Sequence, residues 1–290
     1  MRQQLNVDWS RKAKKIDLKP ALRKYQKYLQ GLGFSQQTTE SYVFRAGKYL
    51  EFCKTDQPTE EDHQRFRDAL LEKQLARNTL NNYGFATKKY HEMISKPVDF
   101  AYMKPRDLIP YYFNEDEVAR IFSVCDNLKH YCMLVVLFYQ ALRASELCGL
   151  NDEDIDFGAK TLRVRGKWNR EDLQPLHPIA EKAIRDYLEI RPTITVKGEK
   201  PLFVTDYLNR MHRADVSRIF HKYKKLANVT SPGGCHIFGR HSPASLMIHN
   251  GSDILTVRRI MRHNDVRTTM RYLHTCDQTI REKYISALTL

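Results

Sequence analysis

Six side chains in the C-terminal two-thirds of the sequence have types and settings suited to one piece of chemistry: Arg143, Lys167, His236, Arg240, His263 and Tyr272. Arg143 lies in Gln140-Ala141-Leu142-Arg143-Ala144-Ser145-Glu146-Leu147, at the end of the most apolar stretch of the chain. A charge there is costly unless it is paired or binds an anion. Glu146, three residues on, is spaced either to pair with Arg143 on a helix or to orient it. Lys167 falls at the tip of an expected hairpin, from which it could reach into a groove or simply solubilise a turn. His236 and Arg240 share Gly234-Cys235-His236-Ile237-Phe238-Gly239-Arg240-His241-Ser242, His263 lies in Ile260-Met261-Arg262-His263-Asn264-Asp265, and Tyr272 ends Thr268-Thr269-Met270-Arg271-Tyr272. Guanidinium forks match phosphate oxygens bidentately. Donors aimed at developing charge stabilise a phosphodiester's transition state without a metal. A phenol is a weak nucleophile at neutral pH, and such a cationic setting is what would make Tyr272 a covalent one. No acidic residue lies between Gln174 and Glu181 or between Thr230 and Asp253, so a metal site built on these histidines is a poor reading.

Periodicity indicates the elements that must position these groups. Residues 1–16 read as a polar, basic arm (Arg11-Lys12-Ala13-Lys14-Lys15). Leu18, Leu22, Tyr25, Leu29 and Leu32 recur at helical spacing, and Gly31 and Gly33 close that helix. A second helix from about Thr38 turns Tyr42, Val43, Ala46, Tyr49 and Leu50 inward. Thr59 caps a third, whose acidic first turn complements the helix dipole and which carries Phe66, Leu70 and Leu71. A fourth starts near Asn78. Residues 17–96 therefore read as an all-helical unit, with Arg45, Lys48, Arg77, Lys88 and Lys89 on its polar faces. Pro97, Pro105 and Pro110 mark residues 97–112 as a linker. A second unit, 113–290, opens on the acidic helix start Asn114-Glu115-Asp116-Glu117 and contains a buried helix within Tyr131–Leu142. Thr161–Arg165 alternates like a strand, Gly166-Lys167-Trp168-Asn169 is a turn, and Asp172–Leu176 is the return strand. The rest is mainly helical, broken at Gly233-Gly234. The expected fold class is mainly α: a helical unit followed by a mixed α/β, mostly helical unit with a small antiparallel sheet or hairpin.

The formal net charge is +14, with 21 Lys/Arg against 13 Asp/Glu in residues 1–108 and 27 against 21 beyond, so the excess is not a basic tail. A basic excess spread over folded segments suits a polyanion partner, nucleic acid first among them. The 42% hydrophobic content excludes a largely disordered chain, and no uncharged apolar run is long enough to span a bilayer. The N-terminus lacks the apolar core of a signal peptide, and the six cysteines include no Cys-x-x-Cys pair. Both point to reduced thiols in a cytoplasm, and with the nucleic-acid reading to a nucleoid-associated location.

At this point the sequence resembles the tyrosine recombinase family, the phage-integrase, Xer and Cre group. Tyr139–Leu147 looks like its first arginine motif, and Val164-Arg165-Gly166-Lys167 like its hairpin lysine turn. His263 matches its second histidine, with Arg262 where glycine is usual, and Thr268–Tyr272 looks like its nucleophile motif, nine residues on from His263. The family's histidine–two residues–arginine pattern is stretched by one, because three residues separate His236 from Arg240. Anchoring on Arg240 puts the histidine position on Ile237, unless a bulge at Gly239 restores His236. Pro243 suits a first helical turn.

The resemblance implies a SAM-like core-binding domain followed by a catalytic domain, together clamping double-stranded DNA. It implies attack by Tyr272 on a phosphorus, giving a 3′-phosphotyrosyl link and a free 5′-hydroxyl. Arg143 and Arg240 would hold the nonbridging oxygens, Lys167 would be the general acid, His236 would help deprotonate the tyrosine and His263 would donate to the phosphate. Glu146 would orient them from behind. No metal or nucleotide cofactor is implied; the assembly would be a homotetramer on two sites, and a monomer when free. Other readings are a type IB topoisomerase, a DNA-binding protein that has lost catalysis, and a metal-dependent nuclease. Tyr284 is the nearest downstream alternative nucleophile, in a setting beside Leu288 that looks structural.

Overall fold

The computed structural model describes residues 17–104, 111–166, 171–273 and 285. The basic arm, Pro105, Pro110, Lys167 with its turn, Cys276 and Tyr284 lie outside the described residues. Contacts divide the chain between Asp107 and Leu108.

The first unit holds α1 (Lys19–Gly31), α2 (Gln36–Cys53), α3 (Glu60–Glu72) and α4 (Arg77–Met93). Pro20 enters α1 in its first turn, where its missing N–H costs nothing. Ser35 caps α2, which begins at Gln36, two residues before the expected start, and Thr59 and Asp62 form a reciprocal capping box on α3. Tyr25, Leu29, Ala46, Tyr49, Leu50, Phe66, Leu70 and Tyr90 make the core. Leu32, by contrast, lies past the end of α1 and is half exposed. The Tyr25 hydroxyl donates to the Ala86 carbonyl at 2.6 Å, tying α1 to α4. Two histidines lie inside this unit: Tyr49 Oη is 2.7 Å from His91 Nε2, and His63 Nε2 is 3.0 Å from Thr87 Oγ1. Burial pushes the pKa of His63 down to about 4, so both rings are neutral partners rather than charges.

The second unit begins with α5 (Glu115–Ser123), capped by Asn114, and α6 (Leu128–Tyr139), in which every residue from Cys132 to Phe138 is buried. Burial of such side chains stabilises by about 1.5–3 kcal/mol each, which makes α6 the post on which the unit is built. After α7 (Ala144–Gly149) and a 3₁₀ turn at Asp152–Asp154 come β1 (Ile155–Asp156), β2 (Thr161–Arg165) and β3 (Glu171–Pro175), an antiparallel sheet in that order. The return strand starts one residue earlier than its alternation suggests, pairing Arg165 with Glu171 and Thr161 with Pro175. Buried Asp154 anchors this hairpin through Arg163 Nε (2.9 Å) and an Arg165 terminal nitrogen (2.8 Å). Then follow α8 (Pro178–Ile190), packed on α6, and α9 (Arg213–Leu226). Last come α10 (Ser242–His249), α11 (Ile254–Met261) and the short α12 (Arg267–Met270). The five described cysteines are free thiols.

Candidate active site

Arg143 does not lie within the apolar helix. α6 ends at Tyr139, Ala141 takes a left-handed φ of 45°, and Arg143 sits at the N-cap of α7 with its side chain 39% exposed. The expected cost of burying its charge is therefore largely avoided. Glu146 accepts from the Arg143 backbone N–H at 2.8 Å and from its guanidinium at 2.5 Å, so it both caps the helix and aims the arginine.

The buried cation is Arg240, at 2% exposure. One terminal nitrogen donates to the Ala141 carbonyl at 2.6 Å and the other to the Met261 carbonyl. The left-handed turn at Ala141 is thus what points a carbonyl at Arg240. Burial above all, then Arg143 and Arg262, lowers the Arg240 pKa to about 9.

The extra residue before Arg240 is absorbed by a π turn over Ile237–His241, continuous with helical residues on both sides. One inserted residue in a helix is accommodated this way, commonly at functional sites. Ser242 N–H bonds back five residues to the Ile237 carbonyl. Pro243 follows in the first turn of α10, where the widened helix meets a residue without an N–H. Gly239 is required: a Cβ there would stand 2.7 Å from a Leu137 side-chain carbon and 2.9 Å from the Leu142 carbonyl oxygen. The bulge keeps His236 on the pocket, with its ring centre 5.3 Å from that of His241. His236 keeps an exposed edge. The protein packed around its ring, then Arg240 and Arg143, hold its pKa below the ordinary value.

His263 follows the left-handed end of α11, and its Nδ1 is 2.9 Å from Thr269 Oγ1 on α12. Its ring stacks at 6.5 Å and 10° on that of Tyr272. Tyr272 is 2% exposed, and its hydroxyl lies 3.1 Å from Nδ1 of His241. Burial raises the phenol's pKa, against the pull of Arg240, Arg271 and Arg143. His241 is held at about 4 by burial, then by His236, Arg271 and Arg240, and His263 at about 4 by burial, then by Arg240, Arg143 and Arg262. At neutral pH both rings are uncharged, and an uncharged imidazole nitrogen can accept a hydrogen bond from the phenol.

Arg143, Glu146, His236, Arg240, His263 and Tyr272 thus come together in one pocket; Lys167 lies outside the described residues. Two members were not singled out from sequence. His241 was visible only as the residue after Arg240, and Arg262 only as a departure from glycine.

The phage integrase family model matches residues 112–279, more than half of the chain and the whole span of this pocket. The chain belongs to the phage integrase family of tyrosine recombinases. It is 29% identical over 267 residues to tyrosine recombinase XerA of Pyrococcus horikoshii, covering 90% of this chain and 91% of that one. It is 34% identical over 157 residues to tyrosine recombinase XerC of Thermodesulfovibrio yellowstonii; that match covers only 52% of each chain, so it spans about half the length of that relative. Its fold is similar to XerH site-specific recombinase bound to a palindromic difH substrate in a post-cleavage complex, with a TM-score of 0.70, 17% identity, and 92% and 84% of the two chains covered.

On the recombinase's first unit, the polar-face cations have intramolecular partners. Lys48 pairs with Glu51 at 3.0 Å, Lys88 with Asp99 at 2.7 Å and Lys89 with Glu92 at 2.6 Å. Arg77 donates to the Lys104 carbonyl, and Arg45 bonds Ser41 and lies over the Tyr83 ring. The Lys48 and Lys88 pairs are exposed, and pairs of that kind hold weakly. Among the described residues no group of three or more His, Cys, Asp or Glu could hold a metal, and no helix is long and apolar enough to cross a membrane.

Proposed function

We propose that this recombinase breaks and rejoins double-stranded DNA at a specific site through a covalent link to Tyr272. The observation that carries the reading is the seat of the Tyr272 hydroxyl, 3.1 Å from a neutral histidine and beside Arg240 and Arg143. In the reaction the tyrosine oxygen bonds to phosphorus and the bond from phosphorus to the 5′-oxygen breaks. His236 helps to deprotonate the phenol, while His241, whose ring touches the hydroxyl, holds it in place by a hydrogen bond. Arg143, half exposed, meets the nonbridging oxygens first, and Arg240 joins once Tyr272 leaves its seat, so DNA entry and release of the nucleophile are one event. His263 donates to the phosphate, and Lys167 protonates the leaving 5′-oxygen. The reverse reaction by a new 5′-hydroxyl rejoins the strand, because the link conserves the bond energy, and neither metal nor nucleotide is consumed.

Residues 17–96 act as the core-binding domain, with Arg45, Lys48, Arg77, Lys88 and Lys89 against the backbone of the duplex. Residues 113–290 act as the catalytic domain, joined by the 97–112 linker, with the 1–16 arm adding charge. The protein works as a homotetramer on two sites, as a monomer when free, and in the nucleoid. The test is trapping on a library of nicked duplexes, followed by sequencing of the DNA that stays attached. Wild type is expected to give an adduct on one recurrent sequence; no adduct, or an adduct without sequence preference, contradicts the proposal.

A further inference from the structure

Arg262 occupies a position that ordinarily belongs to glycine. It is the residue after the C-cap of α11, with φ 53° and ψ 44°, and the chain makes the paired bonds of a Schellman ending around it: His263 N–H to the Arg258 carbonyl at 3.1 Å, and Arg262 N–H to Arg259 at 3.0 Å. A left-handed backbone disfavours a side chain, yet here the longest one is kept and buried, at 5% exposure. Its guanidinium meets Glu146 at 2.8 Å, and that carboxylate is itself 5% exposed. It also donates to the Ala141 carbonyl at 3.0 Å, to the Ile260 carbonyl at 2.9 Å and to the side chain of Gln174 on β3. Ala141 is the carbonyl that also receives Arg240, and Glu146 is the carboxylate that aims Arg143. One side chain therefore touches the supports of both arginines and the base of the hairpin formed by β2 and β3.

We propose that Arg262 is a positioning residue for strand cleavage: its guanidinium holds the Glu146 carboxylate turned so that Arg143 stays aimed at the phosphate. This rests on the function proposed above. The contacts of Arg262 are to the support behind the reacting groups. Burial pushes the Glu146 carboxyl up, but Arg262, and then Arg143, hold it below the ordinary carboxylate value. The other charged or titratable groups facing it are Arg240 and His236 from the π-turn segment; His263 past α11 and Asp172 on β3 act on Arg262 instead. Without Arg262 the carboxyl pKa rises, and the neutral acid that forms as pH falls no longer holds Arg143.

The experiment uses the full chain and a nicked duplex of the sequence recovered from wild-type adducts. Arg262→Gly suits the left-handed backbone and removes the side chain; Arg262→Met keeps the stem and removes the charge; Arg262→Lys keeps the charge without the fork. The Gly and Met variants are expected to bind the duplex within about threefold of wild type and to form adduct roughly a hundredfold more slowly, the scale of loss from a small misplacement of reacting groups. Their rate should fall off at higher pH than in wild type, whereas the Lys variant should keep the wild-type acid limb. In free protein, the Glu146 side-chain carbon resonance, assigned by its loss in Glu146→Gln, should titrate at higher pH in the Met variant. That readout is taken on variant protein with the wild-type circular dichroism spectrum, because unfolding alone would also raise the titration. Wild-type rates and acid limbs in Gly and Met overturn the inference, as does a rate loss that follows melting temperature with the acid limb unmoved. An unchanged Glu146 titration overturns it too. Absence of any wild-type adduct overturns the proposed function instead.

Discussion

Both units of this recombinase bury titratable groups, and they do so on opposite terms. In the helical unit, His63 and His91 are neutral, each faces a hydroxyl, and His91 also bonds the Lys96 carbonyl at 2.9 Å, so no net charge is left inside. In the second unit Arg143, Arg240 and Arg262 crowd around Glu146, and three histidines beside them are held neutral by burial and by those same arginines. Matched polar groups rigidify a core. An excess of like charge opposes folding and persists where an anion is to be bound, which under the proposed function is a phosphodiester.

That contrast can be broken experimentally, beginning with the largest effect. Arg143→Ala is expected to slow adduct formation about a thousandfold, as loss of an aimed donor does, with binding to the same duplex within about threefold. A comparable loss of rate per bound complex in His63→Leu would erase the distinction between the units. Gly239→Ala is expected to destabilise by about 1–3 kcal/mol in denaturant unfolding, the usual cost of overpacking, because Leu137 and the Leu142 carbonyl leave no space for a methyl group. Wild-type stability in that variant would remove the reason for glycine in the π turn.

Acid comes next in size. His63 is at about 4 when folded against the ordinary 6.5, so the unfolded chain binds the extra proton between those values. Its contribution is complete above pH 6.5 and is lost as pH falls toward 4, by up to about 1.4 kcal/mol per pH unit. Unfolding at pH 7 and pH 5 should therefore separate wild type from His63→Leu, with wild type the more acid-sensitive of the two. The smallest effect is that of inorganic sulfate, which should raise the melting temperature through the arginine pocket. It is worth about 0.4 kcal/mol at a concentration equal to its dissociation constant. Arg143→Ala should abolish that increment, and a variant of Lys48 should not.

Local signals explain what was legible beforehand. Thr59 and Asp62, Asn114 and Glu117, and the alternation of Thr161–Arg165 each act within a few residues, so the sequence displays them directly. Arg143, Glu146, Arg240, His263 and Tyr272 stand out in the sequence because their types and spacing resemble the family's motifs. Their burial does not. Arg143 is the exposed arginine and Arg240 the covered one, since the backbone turn at Ala141 decides which receives carbonyls. The π turn was visible only as a surplus residue, because whether an insertion bulges or shifts the register depends on the Leu137 and Leu142 contacts at Gly239. The pairing of Arg262 with Glu146, 116 residues apart, has no local signature at all.

The central claim is that the buried phenol beside His241 is the nucleophile. Its most direct test is covalent trapping of wild type and Tyr272→Phe on the nicked duplex, read as protein that stays with DNA after denaturation, with peptide mapping of the linked residue. The expected result is an adduct at Tyr272 in wild type and none in the variant. An undiminished adduct in Tyr272→Phe, or a link mapped to Tyr284, would contradict it.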